Sequence, residues 1–275
     1  MVPLTLSELE ETACKVRKDI IEMIYRAGSG HPGGSLSSVE ILVALFFGGV
    51  LNFDKKDFKN EKRDRFILSC GHICPSYYSV LANLGFFNED LLSSLRDLSS
   101  SLQGHPSSVF ADFVETSTGS LGQGLSVGVG MAMGLKLKVQ SSKCKIVVLS
   151  SDGEQNEGSH WEAVASGAFH ELGNLCLIID KNKMQIGGET KKVLEMDPLI
   201  DKYKAFGWDA YEIEGHDYRE LLSFFSRFNE TKESPKVVIC RTIRGKGVSF
   251  MEGNEKYHEC TLSEDEYKRA MEELS

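Results

Sequence analysis

Residues 151–184 read SDGEQNEGSHWEAVASGAFHELGNLCLIIDKNKM, and this stretch decides the fold class. The apolar run at 146–149, just before it, predicts a buried strand. A second apolar run at 175–179 predicts another strand, with a helix between the two. A strand, a helix and a strand in this order form a βαβ unit of a parallel sheet. The sequence therefore predicts an α/β fold.

Polar side chains follow both of these strands. Asp152 comes after the first strand and Asn182 after the second. Because the carboxyl ends of neighbouring parallel strands face the same crevice, we expect the two side chains to meet there although they are far apart in the sequence. Mg²⁺ is usually held by one or two protein oxygens together with phosphate oxygens of a ligand. The pair therefore predicts a site for a hard divalent cation.

The turn after Asp152 also suits a diphosphate. Gly153 lets the main chain approach such a group closely, and a helix beginning near Asn156 would point its free N–H groups the same way. The alternative is that Asp152 only caps the next helix, which is typical of an Asp-Gly turn. The second oxygen side chain at Asn182 favours the metal interpretation.

These residues resemble the thiamine diphosphate motif, which runs Gly-Asp-Gly and, further along the chain, Asn-Asn. Here the motif stands as Ser151-Asp152-Gly153 and Lys181-Asn182. Further motifs follow in the order and spacing of the amino-terminal half of a transketolase: SGHPGG at 29–34, LSCGH at 68–72, GHP at 104–106, TGSLGQG at 118–124, FGW at 206–208 and TIRGKG at 242–247. The resemblance covers nearly the whole chain.

The resemblance implies a three-layer thiamine-diphosphate-binding fold of the α/β class, with a mainly parallel central sheet and helices on both faces. We expect residues 1–275 to form a single diphosphate-binding domain of the transketolase type. It further implies a transferase that moves a two-carbon ketol unit between a ketose phosphate and an aldose phosphate, using thiamine diphosphate and Mg²⁺. Ca²⁺ or Mn²⁺ can occupy oxygen sites of this kind as well.

Carried over position by position, the resemblance implies roles for individual residues. Mg²⁺ would be bound by Asp152, Asn182 and the main-chain carbonyl of Met184. The cofactor-binding set would be His72, Gly119, Leu121, Asp152, Gly153, Asn182 and His258. The catalytic set would be His31, His72 and His105. Of these, His31 and His105 would face the substrate as hydrogen-bonding and proton-transfer groups. Glu157 and Glu162 match family glutamates near the subunit interface.

Three positions depart from the family pattern. Ser151 replaces the first glycine of the motif and would add strain of order ~1 kcal/mol or more if that position needed a positive φ. Lys181 replaces the first asparagine, which in the family is usually not the metal ligand. Around His258 the alignment slips, and Glu259 replaces a usual glycine. Neither Ser151 nor Lys181 removes a metal-binding oxygen, so we expect metal binding to survive.

With 275 residues, the chain has the length of one large α/β domain, whereas a full transketolase is more than twice as long. The missing half would carry the pyrimidine-binding domain and the residues that hold the sugar phosphate. We therefore expect a split transketolase, which works only when a carboxy-terminal partner subunit is present and which forms a heterotetramer with two copies of each chain. We expect the protein to act in the pentose phosphate pathway by default. A role in the catabolism of an unusual ketose phosphate is the alternative.

Two other classes of function also stay open. Another thiamine diphosphate enzyme, such as a relative of 1-deoxyxylulose 5-phosphate synthase or an oxo-acid decarboxylase subunit, would use an oxo-acid donor and release CO₂. His105, in Gly104-His105-Pro106, favours transketolase over these. A decayed duplicate would be a non-catalytic regulator. The retained polar residues argue against decay, because a drifting site loses polar groups that cost stability when buried.

The composition is that of an ordinary globular domain, with 41% hydrophobic and 26% charged residues. A net charge of −9 argues against a nucleic-acid surface. The start has no apolar core of the signal-peptide type, and no stretch approaches membrane-spanning length. The 7 cysteines contain no CxxC pair, so we expect reduced thiols, no zinc site and a cytoplasmic location.

The helix and strand pattern supports beta–alpha alternation. Ser7 and Glu10 have the spacing of a capping box for a first helix, and Ser263 and Glu266 have it for the last helix. Further elements are predicted as a helix at 38–47 and strands at 66–69, 146–149, 175–179, 210–213 and 237–240.

Overall fold

The computed structural model describes residues 2–138, 144–228 and 233–275. The strands found there are β1 (Arg65–Leu68), β2 (Ile146–Ser151), β3 (Leu175–Lys181), β4 (Met184–Gln185), β5 (Gly188–Glu189), β6 (Asp209–Glu214) and β7 (Lys236–Arg241). Within the described residues, five of them form one sheet in the order β1-β2-β3-β7-β6. Each neighbouring pair in this sheet is parallel, whereas β4 and β5 form a small antiparallel hairpin.

The helices lie before, between and after these strands. The α-helices are α1 (Leu6–Ala27), α2 (Pro32–Ser37), α3 (Val39–Phe47), α4 (Cys74–Asn83), α5 (Gly124–Lys138), α6 (Gly158–Phe169), α7 (Thr190–Val193), α8 (Leu199–Ala205), α9 (Tyr218–Phe228) and α10 (Glu264–Glu273). Short 3₁₀ helices occupy Gly71–Ile73, Glu89–Ser94, Gly153–Asn156 and Glu255–Tyr257.

Alternate side chains of the sheet enter two separate apolar cores, because successive residues of a strand point to opposite faces. Val147 and Leu149 pack with α1, α3, α4 and α9 on one face. Ile146 and Val148 pack with α5, α6 and α8 on the other. The expected three-layer α/β fold, with a mainly parallel sheet and helices on both faces, is confirmed.

The central strands explain why the sequence reveals this sheet. In β2 and β3 nearly every residue is buried, since helices cover both faces, and such strands read as continuous apolar runs. The predicted strands at 146–149, 175–179, 210–213 and 237–240 are all present and extend one or two residues further. Their register places Ser151 opposite Asp180, so the polar ends of β2 and β3 lie side by side.

The first helix begins at a different cap from the one that the sequence suggests. Thr5 is the N-cap, and its hydroxyl accepts a hydrogen bond from the Glu8 N–H at 3.4 Å while the Glu8 carboxylate accepts from the Thr5 N–H at 2.7 Å. The predicted capping box of Ser7 and Glu10 is therefore wrong. Both pairs have the same three-residue spacing, so the sequence pattern alone does not show which pair caps the helix. The box formed by Ser263 with Glu266 is confirmed.

No helix in the described part of the chain has the combination of length and apolar character that a bilayer crossing requires. Within the described residues, no disulfide bond joins any of the cysteines. Cys70 and Cys74 are buried and direct their sulfur atoms at main-chain carbonyls.

Candidate active site

A cavity of about 380 Å³ opens where β2, β3 and β7 end. The sequence-predicted residues that line it are His31, His72, His105, Gly119, Leu121, Gly153, Asn182, Met184 and His258. Asp152 lies between the lining residues Ser151 and Gly153 and is only 6% exposed. Clefts of this size are typical of small-molecule sites. The structure therefore brings the predicted site residues together at one place.

Main-chain N–H groups hold the carboxylate of Asp152. Its Oδ1 accepts from the Gly153 N–H at 2.9 Å, and its Oδ2 accepts from the Lys183 N–H at 2.6 Å. Burial raises the pKa of Asp152 to about 7, and the neighbouring charge of Asp180 adds to the rise. A divalent cation bound here would stabilise the charged carboxylate and reverse that shift.

The turn at Asn182 completes the predicted set of oxygen ligands. Lys183 has a positive φ of 65°, which bends the chain back so that its N–H reaches Asp152. Asn182 Oδ1 accepts from the Met184 N–H at 3.1 Å, so the amide and the main chain of Met184 lie in the same turn. The expected meeting of the ends of β2 and β3 is thus present in the geometry.

The oxygen set of this turn fits Mg²⁺ better than a softer metal. Within residues 2–138, 144–228 and 233–275, no group of three His, Cys, Asp or Glu side chains is placed to hold a metal. One carboxylate, one amide and one carbonyl are the kind of sparse oxygen set that Mg²⁺ shares with phosphate oxygens.

The local backbone explains the SDG sequence. Ser151 belongs to β2 and is absent from the residues with positive φ, so the anticipated strain at this position does not arise. A Cβ at Gly153 would lie 2.9 Å from the Cβ of Gln185, so only glycine allows the hairpin to pack here. Asp152 also caps the 3₁₀ helix that follows, and α6 begins at Gly158 rather than near Asn156.

Three of the histidines that line the cavity lie close together. The ring centroid of His31 lies 4.9 Å from that of His72 and 5.5 Å from that of His258. Burial is the main cause that lowers the pKa of His31 to about 4 and that of His72 to about 3, and nearby positive groups add to it. The imidazoles of His31 and His72 are therefore neutral near pH 7 and can accept or donate hydrogen bonds.

His105 also lines this cavity. A Cβ at Gly119 would lie 2.8 Å from its Cδ2, and the φ of Gly119 is +142°, so the glycine-rich loop can pass only without a side chain. Burial lowers the pKa of His105, with the charge of Arg96 as a second cause, while the Glu259 carboxylate opposes the shift. Glu259 also lies near His31, with 3.9 Å between Oε2 and Nε2.

Comparison with known families agrees with this geometry. A family model described as the thiamine diphosphate binding domain of transketolase matches residues 10–275. The chain belongs to the transketolase family.

Two similar relatives in the transketolase family match over nearly their full length. The chain is 39% identical to an apulose-4-phosphate transketolase subunit of Phocaeicola vulgatus, over 99% of this chain and 95% of that one. It is 37% identical to a 6-deoxy-6-sulfo-D-fructose transketolase subunit of a Clostridium species, over 97% and 96%. The solved transketolase of Campylobacter jejuni superposes with a TM-score of 0.91 at 31% identity, over 98% of this chain and 43% of that one. The chain thus spans about two fifths of that solved transketolase.

Arg244 is a site residue of this transketolase-family chain that the sequence reasoning missed. It lines the cavity and is only 3% exposed. Its Nη2 contacts His258 Nδ1, whereas its Nε and Nη1 are buried without a hydrogen-bond partner among the described residues. Burial lowers its pKa, and the carboxylates of Asp152 and Asp180 oppose the shift. A buried cation with unused donors at a cavity wall suits an anionic ligand.

Asp180 is the second residue whose part was missed. It is 2% exposed at the end of β3 and accepts from the side chains of Ser37, Thr242 and Asn182. Burial raises its pKa, and these hydrogen bonds oppose the rise. The signal was present in the sequence, since both Asp180 and Arg244 follow predicted strands at the edge where Asp152 lies.

Proposed function

We propose that this chain is the amino-terminal subunit of a split transketolase and that it binds thiamine diphosphate with Mg²⁺, or with Ca²⁺ or Mn²⁺, in the cavity. The observation that carries the proposal is the meeting of Asp152, the Asn182 turn and the buried Arg244 at one cavity wall. Relatives that match this chain along its length bear the names of transketolase subunits, which supports a division into two chains.

The cofactor would be held through its charged end. We assign the cation to the side chains of Asp152 and Asn182 and to the carbonyl of Met184. The diphosphate would take donors from Arg244 and His72 and would rest against Gly153. The remainder of the cofactor would lie along Gly119 and Leu121, and His258 would lie near the phosphates beside Arg244. Phosphate oxygens would accept hydrogen bonds from Nε and Nη1 of Arg244, which have no partner among the described residues. The cation would stabilise the charged form of Asp152, whose pKa is raised.

When bound, thiamine diphosphate supplies the electron sink for breaking and forming the carbon–carbon bond of a ketol transfer. The histidines of this chain would handle the sugar hydroxyls and their protons. His31 and His105 are kept neutral by burial, so each ring has a free acceptor nitrogen for a hydroxyl proton. His72, whose pKa is lowered to about 3 mainly by burial, would stay neutral beside the diphosphate and act as a hydrogen-bond donor.

The exposed apolar side chains near the cavity suit a partner subunit. Ile186 lines the cavity yet is 74% exposed, and Val109 and Phe110 are exposed on the loop that follows His105. Apolar groups exposed around a site are typical of a surface that another chain covers. We propose that the carboxy-terminal subunit docks over this mouth, in an assembly with two copies of each chain. Glu157 and Glu162, both exposed, would lie near a subunit interface.

We propose that residues 1–275 act as a single domain and that the protein works in the cytoplasm, where its cysteines would stay reduced. For the reaction we propose a phosphorylated ketose donor and an aldose acceptor. The names of the two similar relatives concern apulose 4-phosphate and 6-deoxy-6-sulfo-D-fructose. They favour catabolism of an unusual ketose over the default of the pentose phosphate pathway.

The test is to purify the native chain under mild conditions, to identify the protein that accompanies it and to assay the complex with ketose phosphates and aldose phosphates. We expect ketol transfer that requires both thiamine diphosphate and Mg²⁺, and that is lost in a complex carrying Asp152→Ala. Activity of the chain alone would contradict the split. Pyruvate turnover with CO₂ release would favour another thiamine enzyme, and a stable but inert complex would favour the regulatory role.

A further inference from the structure

A polar network formed by the buried Arg17 and Glu40 and the partly buried His216 lines a surface groove, outside the residues assigned above. Arg17 of α1 donates from Nη2 to Glu40 Oε1 of α3 at 2.5 Å. His216, in the loop after β6, places Nδ1 at 2.9 Å from the other carboxylate oxygen, Glu40 Oε2. Arg17 and Glu40 are each 7% exposed. Burial raises the pKa of Glu40, but the hydrogen bond from His216 and the charge of Arg17 outweigh it and lower the pKa overall.

Both ends of this network hold the loop 242–247. The N–H of Ile243 donates to His216 Nε2 at 2.8 Å, and Arg17 Nε donates to the carbonyl oxygen of Lys246 at 2.9 Å. Because His216 Nε2 accepts a hydrogen bond, the proton of the neutral imidazole is assigned to Nδ1, where it is donated to Glu40. Glu40 therefore fixes the tautomer that the loop needs.

Arg244 lies between these two of the points at which the loop is held; main-chain bonds from the Gly245 N–H to the Gly33 carbonyl and from the Gly253 N–H to the Arg244 carbonyl hold it as well. A Cβ at Gly247 would lie 2.8 Å from the Cδ of Arg17, and Gly247 has a φ of +94°, so the close approach of the loop to Arg17 requires glycine. On the other side, a Cβ at Gly33 would lie 2.8 Å from the Nε of Arg244. The Arg244 side chain thus passes over Gly33 into the cavity. Hydrogen bonds at Ile243 and Lys246 fix the main chain on either side of it.

We propose that Arg17, Glu40 and His216 are positioning residues that set the affinity for the diphosphate by holding Arg244 in the cavity wall. The inference rests on the proposed function, because it needs an anionic ligand at Arg244. A binding group that is already fixed loses little further freedom when the ligand arrives, and hydrogen bonds behind a contact residue supply that rigidity. The network connects α1 and α3 to the ligand although none of its three side chains lines the cavity.

The test measures binding by calorimetry, with thiamine diphosphate and with pyrophosphate as separate probes in the presence of Mg²⁺, on the full chain in its native complex. His216→Ala removes the acceptor for the Ile243 N–H, and we expect both probes to bind at least about tenfold more weakly. The kcat at saturating cofactor should stay within about twofold of wild type, since the chemistry itself is untouched.

A conservative variant should restore part of the affinity. In His216→Gln the amide Oε1 can occupy the place of Nε2 and accept from the Ile243 N–H, so we expect binding between that of wild type and that of His216→Ala. Arg17→Lys keeps a positive charge beside Glu40 but cannot make both contacts of the guanidinium. It tests the other end of the network and keeps the proposal falsifiable if His216→Ala does not fold.

A double-mutant cycle separates positioning from general stability. If His216 acts through Arg244, the variant carrying both His216→Ala and Arg244→Ala should bind no more weakly than Arg244→Ala alone. The matched control is Arg219→Ala, because Arg219 is exposed in the surface groove beside His216 and makes no hydrogen bond to 242–247 within the described residues. This control should bind both probes as wild type does.

The outcomes distinguish the network from the proposed function. If Arg244→Ala weakens binding and His216→Ala does not, the positioning role is overturned while the diphosphate site stands. If both single variants weaken binding but their losses add in the double variant, His216 acts independently of Arg244 and the proposal is again overturned. If Arg244→Ala binds both probes as wild type does, the anion contact itself is wrong and the positioning role falls with it.

Discussion

The two aspartates at the ends of β2 and β3 are both buried, yet they are held by different kinds of donor. Asp180 accepts from three side chains, those of Ser37, Thr242 and Asn182. Asp152 accepts, within the described residues, from the main-chain N–H groups of Gly153 and Lys183. A carboxylate can accept in about four lone-pair directions. Asp152, with two donors among the described residues, therefore has more lone pairs left for a cation than Asp180, with three.

The same residue type thus serves two purposes at one edge of the sheet. The donors of Asp180 come from α2, from the chain after β3 and from the chain after β7, so its carboxylate joins three parts of the fold. The donors of Asp152 come from its own turn and from the turn at Lys183, which fixes the carboxylate without saturating it. We therefore expect Asp180 to contribute mainly to stability and Asp152 mainly to binding.

The largest effect is expected from Asp152→Asn. Changes in the residues behind a metal ligand commonly weaken binding 10- to 100-fold, so loss of the ligand charge itself should weaken Mg²⁺-dependent binding of thiamine diphosphate by about 100-fold or more. Without metal, two effects on the midpoint of thermal unfolding oppose each other. The variant removes a buried carboxyl whose pKa is raised, but the single oxygen of the new amide leaves the N–H of Gly153 or of Lys183 without an acceptor. Calorimetry with and without Mg²⁺ measures the change, with the exposed Asp201→Asn as the matched control. Binding as tight as wild type would remove Asp152 from the metal site.

Asp180→Asn should produce the opposite result. In the amide, Nδ2 replaces one of the two carboxylate oxygens, so the hydroxyl of either Ser37 or Thr242 faces a donor and its own proton loses its buried acceptor. We expect the free energy of unfolding to fall by about 1–3 kcal/mol while the affinity for Mg²⁺ changes less than about tenfold. Urea unfolding and metal titration of the same sample measure both quantities. A stable variant that has lost its metal affinity would reverse the comparison.

The sequence predicts more of the fold than of the site. The strands were found because central parallel strands are apolar on both faces, and the position of the site followed because parallel strands end at one edge. The strand order β1-β2-β3-β7-β6 was not foreseen, since it depends on crossovers between distant segments. The first cap was wrong because Thr5 with Glu8 and Ser7 with Glu10 look alike in sequence.

The parts of the site that were missed depend on contacts between distant segments. Asp180 was visible as a polar strand end, but its saturation by Ser37 and Thr242 exists only once the sheet is assembled. Arg244 stood inside a recognised motif, yet its role follows from its burial and its passage over Gly33. The strain expected at Ser151 was a conditional prediction, and the condition of a positive φ is not met.

A third prediction concerns pH. Asp152, with its pKa raised to about 7, must release a proton before it binds Mg²⁺, so affinity should fall by up to about tenfold for each pH unit below about 7. His31 and His72, with pKa values of about 4 and about 3, keep their charge state over the range from about pH 8 to about pH 5.5. Calorimetry across this range measures the slope. An affinity independent of pH would mean that the metal does not bind this carboxylate.

The same titration has the opposite sign for stability without metal. Since the pKa of Asp152 is higher in the folded chain than its ordinary value of 3.8, its contribution to stability is complete below that value and is lost as pH rises through about 7. The difference in unfolding free energy between wild type and Asp152→Asn isolates this contribution, because the buried histidines are common to both proteins. As pH rises from about 4 to about 7, the free energy of unfolding of wild type should therefore fall relative to that of Asp152→Asn.

The smallest effect is expected from Ser151→Gly, which restores the glycine of the family motif. Ser151 is a strand residue opposite Asp180 without a positive φ, so glycine would relieve no strain and would add freedom to the unfolded chain. We expect a loss of about 0.5–1 kcal/mol in the free energy of unfolding and no gain in cofactor affinity. The contrasting change is Gly153→Ala, whose Cβ would press on Gln185 in the hairpin that carries Met184. That variant should lose both stability and Mg²⁺-dependent binding, because it moves the turn that supports Asp152. A gain in affinity for Ser151→Gly would show that the serine, rather than the donors around the two aspartates, limits the site.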